Sequence, residues 1–147
     1  MKRFALILST GLFLFGCGGG NKSYVKKGEL ERTLDQEAIS KKYLEAVGIG
    51  AADSALTNAT QRKATSRNAA VVAAQYEMLS MVKGLDLEGG IRVEKAVETD
   101  SVLQTKIDAA IRGAEIIKSE WTNDDGCIVT LRLDKKRLQD MMGVKFK

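Results

Sequence analysis

Three groups of residues in this chain carry side chains or bare backbone suited to chemistry. Glu120, Asp124 and Asp125 bring carboxylates together around a turn, where paired acids can share a proton or hold a cation. Adjacent acids in a hairpin usually form the turn itself, and the alternating oxygen ligands of a calcium loop are missing. Gly48 and Gly50 form a Gly-x-Gly pair. Such a pair can cradle a phosphate, but no third glycine or Lys-Ser/Thr follows at the required spacing. Close approach of another backbone is the better reading. Met78 and Met81 read as core filling rather than metal ligands. The chain has no histidine, which removes the commonest general base and metal ligand and any Ser/His/Asp arrangement. The expectation is a protein that is not an enzyme, with no catalytic residue, no cofactor and no metal.

The two cysteines differ in setting. Cys127 opens an apolar strand, so an inert, buried thiol is expected. Cys17 ends a different pattern: Met1-Lys2-Arg3, an apolar run from Phe4 to Phe15 broken only by Ser9, Thr10 and Gly11, then Gly16. Charged head, apolar middle and small residue before a cut are the parts of an export signal. The run is about 12 residues long, short of the ~20 that a spanning helix needs.

The segment Leu14-Phe15-Gly16-Cys17 resembles the lipobox of bacterial lipoproteins. The resemblance implies cleavage between Gly16 and Cys17, diacylglycerol on the Cys17 thiol, and an N-linked acyl chain such as palmitate. One acyl chain holds a protein only marginally, whereas two or three hold it stably. Gly18 in place of aspartate resembles the sorting pattern for the outer membrane. Residues 1–16 are thus expected to be a lipoprotein signal peptide, 17–28 a lipidated flexible tether, and 29–147 a single α+β domain. Once Lys2 and Arg3 have left with the signal, 21 basic side chains face 19 acidic ones. That balance, without a basic cluster interleaved with aromatics, gives no expectation of nucleic-acid binding.

Within the domain, Leu30, Leu34 and Ala38 make a thin helical stripe over Glu29–Lys42. Tyr43 to Ala52 reads as a strand whose Ala46, Gly48 and Gly50 face is small. Ala59–Lys83 is the strongest helix, stopped by Gly84. Ala69, Val72, Tyr76 and Leu79 fall on one of its faces, and Ala70, Val71, Ala74, Met78 and Val82 widen the apolar surface. The Arg62, Lys63 and Arg67 cluster reads as solvated. Residues 91–98 alternate through Ile91, Val93 and Val97 as a strand. Asp100 or Ser101 caps a helix over 102–112, ended by Gly113. A strand over 114–121, a turn at Asn123-Asp124-Asp125-Gly126, a strand from Cys127 to Leu133 and a short helix over 135–142 capped by Asp134 complete the order. The fold class expected is α+β, with a largely antiparallel sheet of about four strands packed against one long helix.

Several of these segments together resemble the LPP-twenty family of small outer-membrane lipoproteins. They are Val47-Gly48-Ile49-Gly50, Arg67-Asn68-Ala69-Ala70 through Leu79, Ile111-Arg112-Gly113-Ala114-Glu115-Ile116-Ile117, Trp121, Asp125-Gly126 and Val129-Thr130-Leu131-Arg132-Leu133. The resemblance implies a compact module without catalytic residues or cofactor. Some members look like building blocks of flagellar basal rings or discs at the outer membrane; others are surface or vesicle lipoproteins. The expected role is structural or assembly work in the cell envelope. The expected partners are the membrane, through the N-terminal lipid, further copies of the chain, and flagellar or envelope proteins. Val71, Ala74 and Met78 are the expected self-association face, because apolar residues cover more than one side of the long helix. The alternative is a surface or periplasmic lipoprotein that binds an envelope polymer, a small ligand or a host surface. An aromatic-lined pocket would mark it, and few aromatic residues are available.

Overall fold

The computed structural model describes residues 38–39 and 42–147. The expected signal, Gly16, Cys17 and the tether lie outside the described residues. The elements, in order, are β1 (Ala38–Ile39), β2 (Tyr43–Gly50), α1 (Ala59–Lys83), α2 (Val93–Thr99), α3 (Ser101–Arg112), β3 (Glu115–Trp121), β4 (Cys127–Asp134) and α4 (Lys135–Met142). This is an α+β fold. Three long strands pair antiparallel in the order β2-β4-β3, and the two-residue β1 lies at the β2 edge. Ala38 and Ile39 belong to that strand, not to the helix expected over Glu29–Lys42; residues 29–37, 40 and 41 of that segment lie outside the described residues.

Local chemistry sets the boundaries. Asn58 caps α1, its Oδ1 accepting from the backbone N–H of Thr60 at 2.8 Å and of Gln61 at 3.3 Å, which satisfies amides that the first helical turn leaves open. Asp100 caps α3 through Val102 and Leu103, and Asp134 caps α4 through Arg137.

The core lies between one sheet face and the helices. Leu44, Ala46, Cys127, Val129, Leu131 and Leu133 from the sheet join Ala70, Ala74, Met78 and Val82 of α1 and Leu103, Ile107 and Ala110 of α3. The buried stripe of α1 is Ser66, Ala70, Ala74, Met78 and Val82, strictly every fourth residue. A four-residue step along a helix advances about 6 Å, close to the ~6.6 Å of two strand residues. That match lets the stripe keep pace with Gly50, Gly48, Ala46 and Leu44 along β2.

The expected strand over 91–98 is instead α2. Val93 and Val97, four apart, share a helical face, and Val93 is fully buried. The alternation also failed at Lys95, an exposed residue that pairs with Glu98 at 3.0 Å across one turn. Ile91 stands outside the helix and is 58% exposed. Period two and period four agree over so short a window, and packing of Val93 decides between them.

Candidate functional site

The small face of β2 is a seat for a helix. A Cβ on Gly48 would stand 2.1 Å from the Ala70 carbonyl oxygen, and one on Gly50 would stand 2.0 Å from that of Ser66. The expected packing role of the Gly-x-Gly pair is therefore what the structure shows. Helix backbone fills the space that a phosphate would need.

The acids near the turn do not converge on one another. Asp125 takes a left-handed conformation, φ 63°, which closes a short hairpin between β3 and β4. Its Oδ2 accepts from Arg62 Nη2 at 2.7 Å and from Arg62 Nε at 2.9 Å, and its carbonyl lies 2.7 Å from the Ser66 hydroxyl. Ser66 Oγ is also 3.1 Å from the Lys63 carbonyl; its single proton goes to the nearer Asp125. Glu120 pairs with Lys118 at 2.9 Å and points to the face of β3 opposite its neighbour Trp121. Asp124 is exposed, and the Thr122 hydroxyl beside it holds its carboxyl below the ordinary aspartate pKa. These residues close a turn and fasten it to α1. Arg62, expected to be solvated, instead ties the hairpin tip to the helix and also donates to the Leu56 and Thr57 carbonyls.

Cys127 is fully buried in the core, and burial pushes its thiol pKa up against the weaker lowering influence of Arg67. Met78 belongs to the core and Met81 packs against it. Among the described residues, no group of three or more His, Cys, Asp or Glu side chains is placed to hold a metal ion. Among them, too, no helix is long and apolar enough to cross a membrane.

The expected self-association face needs correction. Ala74 and Met78 are 0% exposed and lie against the sheet; Val71 is half-buried at the core margin. Small residues in α1 match small residues in β2, so this is the face that the fold consumes. The large apolar residues of α1 left outside are Val72, 50% exposed, and Tyr76, 70% exposed. With Leu79 of α1 and Asp108, Ile111 and Arg112 of α3, they line a groove of about 280 Å³. Two apolar stripes run along α1, and their spacing does not say which is core; the one with small residues fits the glycine seat of β2.

A second cleft, of about 680 Å³, is lined by Lys42, Asp134, Lys135, Lys136, Phe146 and Lys147. Four lysines and one aspartate are among the residues that line it, and Lys136 is paired with Asp140 at 2.9 Å. No family model matches the chain, and neither a curated protein nor a solved structure matches it.

Proposed function

We propose that the chain is a lipid-anchored, non-catalytic lipoprotein of the outer membrane with a structural or assembly role in the cell envelope. The observation that carries this reading is Leu14-Phe15-Gly16-Cys17 at the end of a charged head and a short apolar run. Two features of the domain support it. The acids that hinted at catalysis are held by the fold, Asp125 by Arg62 and Glu120 by Lys118. Exposed Val72 and Tyr76 are available for contact with further copies. The sheet is best taken as four-stranded, with β1 as an edge that follows the tether. The resemblance to LPP-twenty lipoproteins makes a flagellar basal ring or disc the first place to look for partners.

The test is metabolic labelling with an alkyne palmitate, followed by separation of inner and outer membranes. Wild-type protein is expected to take label, lose residues 1–16 and sediment with the outer membrane. Cys17→Ser is expected to take no label and to keep its signal. Wild-type protein that is unlabelled and uncleaved overturns the reading.

A second reading, a binding lipoprotein, has one observation in its favour: the lysine-lined cleft, which suits an anionic envelope polymer. Saturable binding of peptidoglycan fragments that is lost in Lys135→Glu would establish it.

A further inference from the structure

We propose that a second copy of the chain docks on the groove between α1 and α3, as a two-fold contact in which Asp108 of each copy meets Arg112 of the other. The proposal rests on the self-association part of the reading above, not on the lipid anchor.

Its apolar part is Val72 and Tyr76, one turn apart on α1 and both well exposed, beside the half-buried Leu79 and the largely buried Ile111. Exposed aromatic rings flanking an apolar groove are a mark of protein interfaces.

The charges say what covers it. Asp108 and Arg112 also lie one turn apart, on the stretch of α3 that borders the groove. Asp108 Oδ1 accepts from the Gln104 side chain at 2.7 Å, and Arg112 makes no ion pair among the described residues. A surface with one acid and one base a turn apart is complementary to itself after a half-turn about an axis between them. That operation puts Asp108 opposite Arg112 of the second copy, and Arg112 opposite its Asp108. An isologous contact of this kind closes on itself. A partner of uniform charge would match only one of the two groups.

The test uses the full chain in mild detergent at one chain per micelle, with mass read by light scattering and one partner carrying a mass tag. Wild-type protein is expected to associate. Asp108→Arg and Arg112→Asp, each alone, set like charges against each other across the axis and are expected to weaken association about tenfold or more. An equimolar mixture of the two single variants restores both pairings and is expected to recover association as tagged heterodimers. An i, i+4 pair within one chain would show no such recovery on mixing. Three results overturn the proposal: monomeric wild-type protein, single variants that associate as wild type does, or a mixture that stays monomeric. Circular dichroism confirms that each variant is folded. Palmitate labelling of Cys17 is independent of all these outcomes, so failure here leaves the lipid-anchor reading standing.

Discussion

Gly48 lies so close beneath Ala70 that a methyl group on it would come within 2.1 Å of the Ala70 carbonyl oxygen and 2.3 Å of the Ala74 amide nitrogen. Both obstacles are helix backbone, which cannot swing aside as a side chain can. Helix α1 therefore rests on β2 through backbone, and the depth of that contact sets where both faces of the helix lie.

Gly48→Ala is accordingly expected to destabilise the domain by about 3 kcal/mol or more, the upper part of the range for overpacking. Urea unfolding measures it. Gly84→Ala is the control. Its new Cβ would meet nothing nearer than 3.5 Å, and its φ of −75° suits any residue. That variant is expected to match wild type or gain up to about 1 kcal/mol.

The hairpin is fastened to α1 by Arg62 and Asp125, whose side chains are 26% and 19% exposed. Asp125→Asn removes the charge and keeps a residue that tolerates positive φ. It is expected to cost about 1–2 kcal/mol. Asp125→Ala adds the penalty for left-handed backbone, about 1 kcal/mol more. Equal losses in the two variants would mean that the turn conformation contributes nothing.

Asp124 supplies a pH dependence. The hydrogen bond from the Thr122 hydroxyl, with help from backbone amides, favours the ionised carboxylate in the folded state. A depressed folded pKa adds stability at pH values above the unfolded carboxyl's pKa, and that stability is lost as pH falls through the folded pKa. Carboxyl carbon chemical shifts followed against pH are expected to place the Asp124 midpoint below the ordinary aspartate value. In Thr122→Val the midpoint is expected to move up. The stability gap between that variant and wild type narrows in strong acid.

Cys127 is fully buried and its thiol is harder to ionise than a free one. Thiolate is the reactive form, so a disulfide reagent at mildly alkaline pH is expected to modify Cys127 only through opening of the domain, and rapidly in denaturant. In the proposed lipoprotein Cys17 carries lipid, so the denatured mature chain is expected to show one reactive thiol. Two reactive thiols would count against acylation.

Much of the fold was legible because the signals were local. Asp100 and Asp134 cap the helices expected to follow them, as a short polar side chain before a helical run does. Asp125-Gly126 marks a turn between two strands, and the Cys127–Leu133 alternation needs only one buried sheet face. The expected strand over 91–98 failed because eight residues with a gap at Lys95 fit either period, and only the burial of Val93 distinguishes them.

The sequence by itself determined the α+β class, the long helix, the terminal hairpin and the small face of β2, and it is the whole basis for proposing Cys17 as a lipid anchor. Each rests on residues close together in the chain. Tertiary structure alone decided which side of α1 is core. The helix has two apolar stripes of similar character, and composition does not rank them. The glycines of β2, about 20 residues away in sequence, admit only the stripe with small residues at Ser66, Ala70 and Ala74. Burying that stripe turns Val72 and Tyr76 outward. It also brings Asp108 and Arg112 alongside them from a separate helix, and no spacing along the chain could have joined those four residues.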